Sequence, residues 1–153
     1  MSARYTFYEF FAGGGMARLG LGEPWACLFA NEWCPKKAAS YVSFFGPNPE
    51  PKIEDVAKLA PGDIPGGADL AWASFPCQDL SLAGQGAGLS GARSGTFRPF
   101  WNLIRRLCGE GRPPKLVVLE NVVGTLSSHG GRDFSFIMDC LTEQGYVAGA
   151  VVA

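Results

Sequence analysis

The sequence predicts an α/β domain: a mostly parallel sheet covered by helices on both faces. Apolar, strand-like runs alternate with stretches of helical periodicity, and short turns join most of them. Glycine-rich or polar motifs fall at or just after the predicted strand ends, where sheets of this kind bind their ligands. With 153 residues and 47% hydrophobic content, the chain suffices for one domain with a real core. No internal repeat or low-complexity linker divides it.

Residues 5–11 are aromatic-rich and suit a buried strand, which breaks at Ala12-Gly13-Gly14-Gly15. Residues 16–21 then read as a short helix stopped by Gly22. Residues 25–30 form a second strand, closed by Asn31-Glu32-Trp33. Residues 35–45 form a helix that opens on proline and ends at Gly46. A proline-punctuated loop follows, then a short strand over 53–56 and an apolar strand over 68–74 that runs into Phe75-Pro76-Cys77-Gln78. Residues 79–95 carry five glycines among serine and alanine, too long and irregular for an ordinary connection. Helical spacing returns over 96–108, a dense strand over 115–119 ends in Glu120-Asn121-Val122, residues 134–141 form a last helix, and 146–152 a final strand.

Composition excludes several classes. No run of 18 apolar residues and no basic leader followed by an apolar stretch is present, so a membrane role is not expected and a cytoplasmic setting is. The five cysteines make no CxxC pair and have only His129 as an imidazole companion, which argues against zinc or a disulfide framework. A net charge of −1 lacks the basic excess of a self-sufficient nucleic-acid binder. Arg93, Arg98, Arg105, Arg106, Arg112 and Lys115 nevertheless cluster, either as a solvated helix face or as a phosphate-facing edge.

The motifs at the strand ends carry the chemistry. Gly13 and Gly15 allow a tight turn and close backbone approach to a ligand. Arg18 stands where a dinucleotide fingerprint needs a small residue, which disfavours a seated pyrophosphate and a nicotinamide oxidoreductase. Glu32 has the placement of an acid that accepts from ribose hydroxyls. Trp33 can cover an adenine face and Asp55 can accept from its amino group, although a helix cap and a surface turn also account for the two acids. Together they suggest an adenosine-bearing cofactor without a pyrophosphate. Cys77 follows a strand and opens the glycine-rich loop, a setting for a nucleophile rather than a buried small hydrophobe. His129 lies in a Ser-Ser-His-Gly-Gly turn and makes a poor base. Glu120 is the natural partner, a carboxyl that donates to a ring nitrogen while the thiol adds, or else a structural acid capping the backbone.

Phe11-Ala12-Gly13-Gly14-Gly15, Asn31-Glu32-Trp33, Phe75-Pro76-Cys77-Gln78 with Ser81, and Glu120-Asn121-Val122, in this order, resemble the early motifs of the DNA cytosine-5 methyltransferases. The resemblance implies a Rossmann-like methyltransferase fold that binds S-adenosylmethionine. It puts Phe11, Gly13 and Gly15 at the methionine end, Glu32 on the ribose, Trp33 and Asp55 at the adenine, and Pro76 in contact. It implies that Cys77 attacks C6 of a flipped cytosine in duplex DNA while Glu120 supports N3, with Gln78, Ser81, Arg93, Asn121 and Val122 on the substrate side.

The family continues after a strand like 146–152 with an arginine-containing motif, a target-recognition domain and a C-terminal segment. The chain is therefore expected to be an incomplete catalytic domain, truncated before the last strands. A restriction-modification or orphan methylase of a bacterium or phage is the first reading. Methylation of cytosine in transfer RNA, or a cofactor-binding fragment that pairs with a C-terminal half or second chain, are the alternatives.

Overall fold

The structure, a computed structural model, describes residues 4–76 and 96–153. Its regular elements are β1 (Tyr5–Phe10), α1 (Met16–Leu21), β2 (Trp25–Glu32), α2 (Pro35–Phe45), β3 (Lys52–Ile53), β4 (Leu70–Ala73), α3 (Phe97–Gly109), β5 (Leu116–Leu119) and α4 (Arg132–Glu143). The five strands are all parallel, in the order β3-β2-β1-β4-β5. β1 lies at the centre, and Phe7, Tyr8, Glu9 and Phe10 are all buried in it, as a strand covered on both faces requires. Right-handed crossovers place α1 and α2 on one face. Strand order reverses between β1 and β4, so the same handedness carries residues 102–109 of α3 to the other face. The expected Rossmann-like arrangement is present.

Two compact units make up the chain: Met1–Ser74 with Asn102–Glu120, and Phe75–Trp101 with Asn121–Ala153. The first contains the whole sheet, α1, α2 and the buried Leu103, Ile104 and Leu107 of α3. Among the described residues of the second, Phe75, Phe97, Phe100, Trp101, Ile137 and Cys140 are buried, with the Phe75 and Phe97 rings 5.4 Å apart and Phe97 stacked on Trp101.

α1 and α2 match the sequence reading residue for residue, because Gly22 and Gly46, both at positive φ, stop them and Pro35 opens the second. Two strands differ from expectation. β3 covers only Lys52–Ile53, because the Asp55 carboxylate accepts from the Ala57 N–H and turns Val56–Lys58 into a 3-10 turn. Residues 146–152 form no strand: Val147, Val151 and Val152 are exposed, and the Tyr146 ring packs on Trp101. A strand needs a neighbouring ladder to satisfy its backbone, and this apolar run does not join β5.

Candidate active site

Parallel strands deliver their carboxyl ends to one edge, and β1 to β3 are neighbours. Phe11, Gly13, Gly15, Glu32, Trp33 and Asp55 therefore follow adjacent strand ends on one rim of the sheet. The chain leaves β1 through Phe11 at φ 56, an uncommon conformation for a bulky side chain. The Ala12 N–H donates to the Asn31 carbonyl at 2.9 Å, and the Gly15 N–H closes the turn on the Ala12 carbonyl at 2.7 Å. Gly15, at φ 84, has a reason for being glycine that the motif alone did not reveal. A Cβ there would sit 2.3 Å from Phe45 Cε2 and 2.9 Å from Tyr41 Cδ2, so α2 packs against the turn. At Gly13 and Gly14, by contrast, a Cβ would meet no atom of the described residues closer than 4.0 Å.

Glu32 is the hub. It ends β2 with only 3% of its surface exposed, and its two carboxylate oxygens divide their work. One accepts from the Gly13 N–H at 2.8 Å, the other from the Cys34 N–H at the start of α2 at 2.9 Å. The acid thus ties the glycine turn to the second helix. An ionised carboxylate offers about four acceptor positions. Two remain unused by these bonds, an acceptor capacity of the kind that the hydroxyls of an adenosine-bearing cofactor need. Trp33 is 72% exposed, an uncovered aromatic face beside that acid. Asp55 is exposed and caps its 3-10 turn, the surface-turn role that the sequence left open. Asn31, not singled out from sequence as a site residue, is buried and donates to the Lys52 and Glu54 carbonyls at 3.1 and 2.9 Å, which holds the Asp55 segment beside β2.

The remaining residues singled out from the sequence follow β4 and β5. In the sheet unit, the Glu120 N–H donates to the Ala73 carbonyl at 3.0 Å. In the other unit, Asn121 Nδ2 donates to the Phe75 carbonyl at 3.1 Å, while its Oδ1 accepts from the Val122 N–H. Within the second unit, therefore, the Phe75-Pro76 segment is tied to Asn121. Glu120 and Val122 are exposed. A poorly solvated setting for the Glu120 carboxyl is therefore not formed by the described residues. Cys77, Gln78, Ser81, Arg93 and the glycine-rich loop over 79–95 lie outside the described residues.

The basic stretch is mostly architectural. Arg112 donates to the carbonyls of Pro61, Ile64 and Gly66 and pairs with Glu110, Lys115 pairs with Asp69, and Arg98 lies 4.1 Å over the Phe136 ring. Arg105 and Arg106 are exposed on α3. Arg18 has its guanidinium on the Tyr41 hydroxyl and the Asn48 carbonyl and stacked 4.6 Å over Phe45, so it braces α1 against α2 rather than presenting itself to a phosphate. His129 bonds Asp133 at 2.9 Å on the surface of the second unit. Among the described residues, no group of three His, Cys, Asp or Glu could hold a metal ion, and no helix is long and apolar enough to cross a membrane.

A group that sequence reasoning missed lies beneath the turn. Glu9 is 1% exposed in the middle of β1. One carboxylate oxygen accepts from the Arg18 N–H at 3.3 Å and the other, Oε2, has no hydrogen-bond partner among the described residues. Burial pushes its carboxyl up to about 7, against the lowering effects of the Arg18 amide, the Tyr41 hydroxyl, the Arg18 charge and the Ala17 amide. Burial likewise raises the neighbouring Cys27 thiol and Tyr41 phenol. The one signal available was an acid inside an otherwise apolar and aromatic strand.

A family model described as C-5 cytosine-specific DNA methylase matches residues 5–153. The chain is 33% identical to the type II methyltransferase M.BsuFI of Bacillus subtilis, over 94% of this chain and 33% of that protein. It is 37% identical to the type II methyltransferase M.HaeII of Haemophilus aegyptius, over 93% of this chain and 42% of that protein. The chain therefore spans between 33% and 42% of the length of these relatives. Among solved structures, the S. pombe Dnmt2 methyltransferase shares the fold with a TM-score of 0.69 at 21% identity, over 92% of this chain and 42% of that one.

Proposed function

The chain belongs to the C-5 cytosine-specific DNA methylase family, and on that premise we propose that the protein transfers a methyl group from S-adenosylmethionine to C5 of cytosine in DNA. The observation that carries the cofactor half of this reading is Glu32, buried at the end of β2, bonded to the Gly13 amide and left with acceptor capacity to spare. Phe11, Gly13 and Gly15 would border the methionine portion, Glu32 would accept from the ribose hydroxyls, Trp33 and Asp55 would hold the adenine, and Pro76 would touch the cofactor. When bound, the cofactor supplies an electrophilic methyl group.

Carbon 5 of cytosine is too poor in electrons to take that methyl group unaided. Cys77, as thiolate, adds to C6 while Glu120 supports protonation at N3, which turns C5 into a nucleophile. After C5 has accepted the methyl group, loss of the C5 proton and breakage of the Cys77 sulfur–C6 bond restore the thiolate and the aromatic ring. A thiol cannot reach C6 inside a duplex, so the base is extruded at a cost of a few kcal/mol. Gln78, Ser81, Arg93, Asn121 and Val122 are the substrate-side residues. The setting is the bacterial or phage cytoplasm, in a restriction-modification system or as an orphan methylase.

A trapping experiment tests the reaction. DNA carrying 5-fluorocytosine cannot release a C5 proton, so the full-length protein with S-adenosylmethionine is expected to form a denaturation-resistant adduct that Cys77→Ser abolishes while sparing cofactor binding. An adduct that survives the substitution would remove Cys77 from the role of nucleophile. The partial coverage of the relatives supports a second reading, in which this segment holds the cofactor and needs the remaining part, or a second chain, for turnover. Activity recovered on supplying the remainder favours that reading.

A further inference from the structure

We propose that Glu9 is a positioning residue for the cofactor loop: its buried carboxylate, through the Arg18 amide, sets how the turn from Phe11 to Gly15 packs against α2. The inference rests on the cofactor reading above and adds a group to it that does not itself meet the ligand. α1 has no side-chain cap of its own, since its first flanking residue is Gly15. Glu9 takes that place from the neighbouring strand by accepting from the Arg18 N–H, one of the donors that the start of a helix leaves unpaired. Arg18 in turn bonds the Tyr41 hydroxyl and stacks on Phe45, the two side chains that close on Gly15. Acid, helix start and glycine turn are therefore packed as one piece.

Among the described residues, the Arg18 and Ala17 amides and three titratable side chains face Glu9. α1 contributes Arg18, α2 contributes Tyr41 and β2 contributes Cys27, whose sulfur accepts from the Tyr41 hydroxyl at 3.5 Å. Of these only Arg18 is charged near neutrality, and its guanidinium is engaged by the Tyr41 hydroxyl and the Asn48 carbonyl. With its carboxyl titrating at about 7, Glu9 changes charge in the physiological range. The ionised form accepts the Arg18 amide in a charge-assisted bond; the neutral form makes a weaker one and adds a proton on the side where Oε2 has no partner among the described residues. The bond from the Arg18 amide to Glu9 is strongest above neutrality, although ionising the buried carboxyl costs the fold stability.

Two readouts on this chain decide the matter. By nuclear magnetic resonance, the Glu9 carboxyl carbon is expected to titrate near 7, and the Arg18 and Gly15 amides to follow the same midpoint; in Glu9→Gln those amides lose the transition. By calorimetry, affinity for S-adenosylmethionine is expected to fall roughly five-fold from pH 8 to pH 6 in the wild type, the size of exchanging one charge-assisted bond for a neutral one, and to stay level in Glu9→Gln. Amides that do not follow Glu9, or the same pH dependence in both proteins, would overturn the proposal. If the chain binds no S-adenosylmethionine at any pH while the amides still follow Glu9, the cofactor reading fails and the coupling of Glu9 to the turn stands. Should Glu9→Gln fold poorly, Glu9→Asp, whose shorter arm cannot reach the Arg18 amide in the same way, is expected to keep a titration but to uncouple it from the amides; continued coupling would count against the geometry.

Discussion

Glu9 carries a cost as a residue. Its proton is held to higher pH in the folded chain than in an unfolded one, so the stability it contributes is complete below about 4.5 and is lost as pH rises to about 7. The full shift corresponds to at most about 3 kcal/mol. Glu9→Gln, which cannot ionise, is therefore expected to raise the melting temperature at pH 8 and to change it little at pH 4, read by calorimetric scanning at both. Equal effects at the two pH values would mean that Glu9 does not titrate in this range. Glu32 contributes in the other direction: Glu32→Ala deletes acceptors for the Gly13 and Cys34 amides and is expected to destabilise by about 1–3 kcal/mol in addition to any loss of ligand affinity, measured by urea unfolding.

Among the elements, the glycine turn and α2 form a single fitted contact. Gly15→Ala combines a left-handed backbone with a methyl group placed inside the Phe45 ring, and is expected to cost about 2–4 kcal/mol in urea unfolding. Shortening the obstruction with Phe45→Ala in the same chain should return part of that loss, because the steric component would go and the backbone component would stay. This pairing also shows how far the sequence was legible. Gly13 to Gly15 could be read as a turn and α1 and α2 could be bounded to the residue, since glycine stops and a proline start are local signals. That Gly15 answers to Phe45, or Arg112 to three backbone carbonyls, depends on chain far away in sequence. β3 is shorter than its sequence suggests because a side-chain cap at Asp55 outcompetes strand pairing, and residues 146–152 suggest a strand that does not form, because apolar spacing does not reveal whether a ladder is there to join. The positions of Gly13, Gly15, Glu32 and Asp55 at strand ends are legible in the sequence; the burial of Glu9 is not, because nothing local distinguishes a buried acid from one at a bulge or an edge.

At the largest scale, the parallel sheet explains why Phe11, Gly13, Gly15, Glu32, Trp33 and Asp55, separated along the sequence, follow adjacent strand ends on one rim of the sheet unit. β1 occupies the middle of the sheet unit, with the Glu32 and Asp55 segments following the strands on one side and Glu120 following β5 on the other. The net charge of −1 leaves little electrostatic attraction for a phosphate backbone, so this segment by itself is expected to hold cofactor far better than DNA. A filter-binding comparison of the chain with duplex DNA at low and moderate salt tests this. Tight, salt-steep binding by the isolated chain would contradict it.

The most direct test of the central claim is calorimetric titration of the chain with S-adenosylmethionine, with S-adenosylhomocysteine and NAD alongside and Glu32→Ala as the paired variant. The account predicts binding of the two adenosyl ligands, at least ten-fold weaker binding of NAD, and at least ten-fold loss in Glu32→Ala. Binding of NAD as tight as that of S-adenosylmethionine, or full affinity retained without the Glu32 carboxylate, would contradict it.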